Sequence, residues 1–410
     1  MDTVVVDAVR AEIRQWIGAH WEPELSLIQW RGLLADSGWA CPAWPQAWCG
    51  RGLAGAAAAA ARAELAAAGV PGPPDGVGMS LVAPVLLEHG SDALKHLFIR
   101  PTVAGEITWC QLFSEPGAGS DLAGLTTKAQ AGGDRWLVTG QKVWSTGAAT
   151  ADYGLLLART DADVPKHRGI TAFVLPMRQP GVQVRPLRQM NGHSSFNEVF
   201  FDAALVEHVI GAVGGGWTVA LTTLAHERRL AASKPAPVPQ SGGRAWQEAI
   251  AERTAVAEPH KWYPQRAGRP DLVIPQARSA GKAADPVLRQ QIARLTEATM
   301  SARMTAERAA AARAAGRQPG PEGSIGKLAS SEIARQSAQV HGLIAGASGL
   351  LAGPEAPVSG TIAEILVSVP GISIAGGTDE IQHTIIGERI LGLPREPDVS
   401  RDLPFRQVPR

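Results

Sequence analysis

Cysteine is scarce: three thiols in 410 residues (Cys41, Cys49, Cys110) cannot all pair, so a disulfide framework is excluded and a reducing compartment with buried thiols is expected. They also lack the close Cys/His spacing of a zinc site, and His193, His208, His226 and His341 are scattered without an i, i+4 pair, so no metal is expected. Charge of one sign is missing as well. A formal net charge of +1 and a pI near 7.8 give no overall field to draw nucleic acid or an anionic membrane. No long apolar run is present: the Ala-rich stretch 53–70 is broken by Arg62 and Glu64 and reads as a soluble helix, with no membrane insertion expected. The amino terminus places Asp2 and Asp7 where a secretory signal needs basic residues, so a cytoplasmic location is expected. No repeat period occurs, and Gly214-Gly215-Gly216-Trp217 lacks the strand-GxGxxG-helix setting of a dinucleotide loop, so NAD is not expected.

The chain is long enough, at 45% hydrophobic and 19% charged, to bury a large core shared by two or three domains. Apolar residues recur at helical spacing up to about residue 104, as in Val5, Val9, Ile13, Trp16 and Ile17. From 107 to about 210 the period changes to short β-branched and aromatic strands: 136–139, 154–158, 170–175 and 198–201. Helical spacing returns in 217–230, 286–315, 324–351 and 378–391, each opened by a Pro, Ser or Thr start signal. The expected division is a helical domain over 1–105, a β domain over 106–212, a helical bundle over 213–396 and a tail over 397–410. The bundle carries an irregular insert at about 234–285, holding at most one good helix, around 244–257.

Two motifs carry chemistry. In Trp109-Cys110-Gln111-Leu112-Phe113-Ser114-Glu115-Pro116-Gly117-Ala118-Gly119-Ser120-Asp121, small residues hold backbone N–H groups open beside hydroxyls, a shape suited to a phosphate or a flavin ring edge. Gln141-Lys142-Val143-Trp144-Ser145-Thr146-Gly147 follows a strand-like run. A Trp by itself is more often core packing than a cofactor contact. Its place downstream of the Gly-rich loop reverses that reading.

Together the two motifs resemble the acyl-CoA dehydrogenase family of flavoproteins, and the resemblance runs from about Trp39 to Glu396. It implies an α+β multi-domain fold: an N-terminal α-helical domain, a middle β-barrel or sandwich and a C-terminal four-helix bundle. It implies FAD, with Gln111, Leu112 and Ser114 on the pyrimidine side of the isoalloxazine, Trp144 against the ring and Thr146 at N5, the hydride acceptor. Gly119 lets the chain pass close, Ser120 matches a contact to the pantetheine end of a thioester, and Thr378 and Glu380 match positions near the adenosine of FAD. Asp379 reads as a helix cap.

Desaturation of a thioester needs a carboxylate base for the α-proton. In most family members it stands in a C-terminal Glu-Gly-Thr motif, but here the stretch is Gly376-Gly377-Thr378, and glycine cannot act as a base. Other members supply the base from a bundle helix, and Glu227 in His226-Glu227-Arg228-Arg229 falls on that position. Away from this context it would read as a solvated helix carboxylate. Glu227 is the candidate base, and Arg228 and Gly376 join Ser120 as candidate substrate contacts.

The Arg-x-x-Phe-Gly stretch and following Gln that many members use on the FAD pyrophosphate have no clean copy; Arg278-Ser279-Ala280-Gly281 and Gln290 stand nearby. The resemblance therefore implies either a homotetramer or dimer, or an αβ heterotetramer whose second chain completes the FAD site. Expected partners are an acyl-CoA or acyl-carrier thioester and an electron-transfer flavoprotein. The alternatives are a flavin oxidase or monooxygenase on the same fold, and a heteromeric or scaffold subunit with little activity alone.

Overall fold

The computed structural model describes residues 2–230, 242–315, 317, 320 and 322–409. The chain divides into two compact units. Residues 1–187, 194–258 and 399–410 form the first, and 188–193 with 259–398 form the second.

The first unit begins with five helices: α1 (Asp2–His20), α2 (Leu27–Ser37), α3 (Gly55–Ala67), α4 (Ala83–His89) and α5 (Asp92–Ala104). Ser26 and Gln29 form a reciprocal capping box on α2, and Ser91 accepts from the Leu94 N–H to cap α5. Gly38 closes α2 at φ 78°, a conformation that costs any residue with a Cβ. The Ala-rich stretch is α3, and its small side chains let α1 pack close. The buried Glu64 carboxylate in that contact accepts from Arg10 and Arg14 of α1, which keeps it ionised below the usual carboxylate range.

The middle of this unit is one continuous eight-stranded sheet of β1 (Trp109–Leu112), β2 (Lys128–Gly132), β3 (Arg135–Lys142), β4 (Tyr153–Arg159), β5 (Ile170–Pro176), β6 (Val182–Leu187), β7 (Phe196–Val206) and β8 (His208–Ile210). Its order is β6-β7-β3-β2-β4-β5-β8, with β1 parallel to β4. The four runs expected as strands lie in β3, β4, β5 and β7, the longer strands of the set. β4 and β5 are buried along nearly their whole length and form the sheet's dry centre. α6 (Gly216–Leu230) packs on β5 and α4, and α7 (Arg244–Ala257) packs on α2, where Arg31 forks onto Glu252. α7 is the helix expected around 244–257 in the insert, which also holds two shorter helices at Tyr263–Arg266 and Val273–Ser279, more than the one expected; 231–241 lie outside the described residues.

In the second unit, α8 (Tyr263–Arg266), α9 (Val273–Ser279), α10 (Pro286–Ala314), α11 (Glu322–Ala345), α12 (Thr361–Ser368) and α13 (Asp379–Arg389) gather around α11. Leu288, Leu295, Val340 and Ile344 form one apolar seam of this bundle, and Ala334, Ala338, Ile362 and Ile365 another. No helix among the described residues is long and apolar enough to cross a membrane.

Candidate functional site

The two motif loops are built side by side in the first unit. β1 leads into Phe113-Ser114, and β3 ends at Lys142 and hands over to Val143-Trp144. The Val143 N–H donates to the Ser114 carbonyl at 2.9 Å, which stitches one loop to the other. Among the described residues β1 pairs only with β4, so the other edge of Gln111 and Leu112 keeps its backbone groups for a further partner.

Beneath the stitch lies a buried ion pair that sequence reading passed over. Lys142, fully buried, donates from Nζ to Glu115 Oε1 at 2.8 Å and to the Phe113 carbonyl at 2.9 Å. Glu115 also accepts from the Thr126 N–H and hydroxyl and from the Thr127 N–H, so its carboxylate is saturated with donors. Burial alone would raise this carboxyl, but Lys142 and the threonine donors outweigh it and hold it at about 2. Burial pulls the ammonium down against the attraction of Glu115. One cation thus fixes the turn of the Gly-rich loop to the start of the second motif.

Trp144 is the exposed feature of this platform. Trp144 is not a core residue: it is 55% exposed, with its ring edge-on to Phe196 and centroids 5.6 Å apart. Its backbone stands at φ 63°, a strained setting for a bulky residue, and the next residue shows why it persists. Ser145 exchanges two backbone hydrogen bonds with Asn197, whose side-chain amide donates a third to the Ser145 carbonyl. The Ser145 hydroxyl is buried with no partner among the described residues, an orphan the sequence did not signal. A large ring held out of the core, beside an unspent hydroxyl and an open strand edge, suits a planar heteroaromatic cofactor with polar edges.

Of the other candidates, Gln111, Ser114 and Thr146 are half-buried, Leu112 is buried, and Gly119 and Ser120 are exposed at the end of the Gly-rich loop. A Cβ at Gly119 would meet nothing within 4 Å, so close approach of a ligand has room there. Glu227 is half-buried on α6, between His226, which pairs with Glu88, and the end of the helix; the Arg228 side chain lies outside the described residues.

Gly376, Thr378 and Glu380 belong to the second unit. Gly376 and Gly377 stand at φ 69° and 87°, and the space where a side chain at Gly376 would project is open. Gln382 donates to both of their carbonyls and holds the turn. The cap of α13 is corrected: Thr378, not Asp379, occupies the N-cap, its hydroxyl accepting from the Ile381 N–H. Asp379 instead takes an ion pair from Lys327 at 2.8 Å and another from Arg335 at 2.6 Å. Burial would raise its carboxyl, but those donors and Ser331 prevail and keep it well below the usual range.

A helical N-terminal region, a middle sheet carrying two interlocked loops and a C-terminal helical region define a flavoprotein oxidoreductase. Family comparison specifies it: acyl-CoA dehydrogenase N-terminal, middle and C-terminal domain families match residues 2–106, 110–204 and 274–391. The acyl-CoA dehydrogenase IpdE1 of Mycobacterium tuberculosis is 32% identical over 412 residues, covering 95% of this chain and 98% of that protein. The chain belongs to the acyl-CoA dehydrogenase family, FAD enzymes that act on CH–CH bonds. The acyl-CoA dehydrogenase FadE34 of the same organism is 38% identical over 364 residues, 88% of this chain, which spans 46% of that relative's length. A solved steroid ACAD, Tcur3481-Tcur3483, superposes with a TM-score of 0.64 at 25% identity, over 96% of this chain and 98% of that one.

Proposed function

We propose that this chain desaturates an acyl thioester, acyl-CoA being the carrier, at the Cα–Cβ bond, with Glu227 as the base that takes the α-proton. The observation that carries the reading is the platform of exposed, strained Trp144, orphaned Ser145 and the free edge of Gln111-Leu112. FAD, when bound, supplies the hydride acceptor. Gln111, Leu112, Ser114, Gly119, Trp144 and Thr146 hold and orient it, with Thr378 and Glu380 toward its adenosine. Ser120, Arg228 and Gly376 contact the thioester. Glu227 is the carboxylate assigned to the proton because Gly376 has none to offer.

The lack of a carboxylate at Gly376, where a Cβ would meet nothing within 4 Å, favours bulky or ring-bearing acyl groups. The likeness to a steroid ACAD supports a polycyclic acyl chain. Such thioesters should therefore turn over with a higher kcat/KM than straight-chain acyl-CoAs in a panel assay; equal or better straight-chain turnover would remove the pocket argument. An electron-transfer flavoprotein takes up the electrons in the cytoplasm. An αβ heterotetramer completes the FAD site, because the Arg-x-x-Phe-Gly and Gln elements are absent from this chain.

The deciding experiment is the visible spectrum of the purified chain, alone and with a candidate partner chain, followed by anaerobic addition of acyl-CoA thioesters. A flavin band that bleaches is expected. A band that no thioester bleaches, with oxygen consumed on some other substrate, would replace the reading with an oxidase or monooxygenase.

A further inference from the structure

Residues 399–410, which lie beyond the family match ending at 391, belong to the first unit. They pair with the β4–β5 connection: Phe405 N–H donates to the Val164 carbonyl at 2.9 Å, Arg406 N–H to the Ala162 carbonyl at 3.1 Å, and Pro404 bridges Pro165. The Arg406 guanidinium closes the contact on Asp163 at 2.8 Å.

These anchors set the Phe405 ring 3.4 Å from the guanidinium of Arg159, which is 5% exposed. Arg159 spends its edge on three carbonyls: Nε on Leu125 at 3.1 Å, Nη2 on Ala123 at 2.6 Å and Nη1 on Lys166 at 3.1 Å. A buried guanidinium has donors only in its plane, so its face must be covered by something that needs no hydrogen bond. An aromatic face does this and attracts the charge. Leu122-Ala123-Gly124 is the turn that follows Ser120, and the Lys166 ammonium binds Asp121 at 2.8 Å. The tail therefore reaches the thioester side of the Gly-rich loop through one buried cation.

We propose that the C-terminal segment 399–407 is a strap, in which Phe405 clamps Arg159 and Arg159 positions the Ser120–Leu125 loop, setting the hold on the acyl thioester. The substrate half of this statement rests on the dehydrogenase reading and on the role of Ser120. Phe405 is a positioning residue and touches neither cofactor nor reacting atoms.

The test compares the flavin-loaded full chain with its Phe405→Leu and Phe405→Trp variants, by hydrogen exchange at the Gly124 and Leu125 amides and by the split of KM against kcat for a bleaching acyl-CoA. Phe405→Leu is expected to speed exchange at those amides and raise KM about tenfold, the scale of a desolvated cation–π contact, with kcat and flavin content unchanged. Phe405→Trp, which restores an aromatic face, should recover both. Unchanged exchange at Gly124 and Leu125 overturns the strap whatever the substrate is. Faster exchange with unchanged KM overturns the substrate role alone. A matched fall in flavin content and kcat makes the tail a general stability element and overturns the proposal. If no thioester bleaches the wild type, the dehydrogenase reading falls, and the exchange comparison still decides the strap by itself.

Discussion

Glu227→Gln will keep bound flavin and its visible band, and will slow anaerobic bleaching by acyl-CoA by about 10² to 10⁴-fold, the usual worth of a positioned general base. The reasoning is chemical before it is structural. An α-proton of a thioester leaves only if a base receives it, and a primary amide of the same shape cannot. Gly376 has no side chain, Asp379 is committed to Lys327 and Arg335, and Glu115 is committed to Lys142 and two threonines. A carboxylate in such a pairing stays ionised but has its lone pairs occupied, and a strongly lowered proton affinity makes a poor base. Glu227 is the carboxylate at the family-matched position, and it sits on a helix of the same unit as the two motif loops. Stopped-flow reduction of the variant is the measurement. A reduction rate within twofold of wild type would place the base elsewhere, and Gly376→Glu would then be the variant to compare.

What could be read from the sequence divides along physical lines. Long periodic helices such as α6 and α10 were legible because an apolar stripe repeats over many turns. β4 and β5 were legible because they are buried runs of Leu, Val, Ile and Phe. β2, Lys-Ala-Gln-Ala-Gly, has almost no intrinsic strand preference and exists because β3 pairs with it residue for residue. β6 lies at the sheet edge and contains Pro186, a residue that demotes a strand in any reading by pattern. α12 buries Ile362, Ile365 and Ser368 on one face but is only eight residues long, about two turns, too short for that period to stand out in the sequence. The site divides in the same way. Gln111, Ser114, Trp144 and Thr146 were found because contiguous motifs name them. The pairs that set their geometry, Lys142 with Glu115 and Arg159 with Phe405, are 27 residues apart in the first case and 246 in the second. No local pattern reports a contact of that kind. The orphan hydroxyl of Ser145 is invisible for a related reason, since lacking a partner is a property of the packed state alone.

Lys142→Met will destabilise the chain by about 3 to 5 kcal/mol and release its flavin, because removing one member of a buried ion pair leaves the other charge without compensation. Lys142 and Glu115 are 0% and 5% exposed at the side chain, so water cannot substitute for the missing ammonium. The loss is also geometric. Lys142 donates to the Phe113 carbonyl, and its departure frees the turn that presents Ser114 to the second motif. Glu115→Gln should cost less, since an amide oxygen still accepts from Lys142 and Thr127. The pH dependence separates the two. The Glu115 carboxyl is held at about 2 in the folded chain and lies near 4.3 when unfolded. A lowered folded value adds stability that is complete above the unfolded pKa and is lost as pH falls through the folded one. The wild type should therefore lose stability between about pH 5 and pH 2 more steeply than Glu115→Gln does, once acid loss from other carboxylates is subtracted as common to both. Denaturant unfolding across that pH range, with flavin content read at each point, is the measurement. A Lys142→Met variant that unfolds at the wild-type midpoint and keeps its flavin would mean that the two loops are held by the Val143–Ser114 stitch alone. The ion pair would then be a passenger of the fold. Replacing both members together, as Lys142→Met with Glu115→Leu, discriminates further: a return of stability without a return of flavin assigns the pair to cofactor geometry, since paired apolar groups can repack a core but cannot hold the Phe113 carbonyl in place.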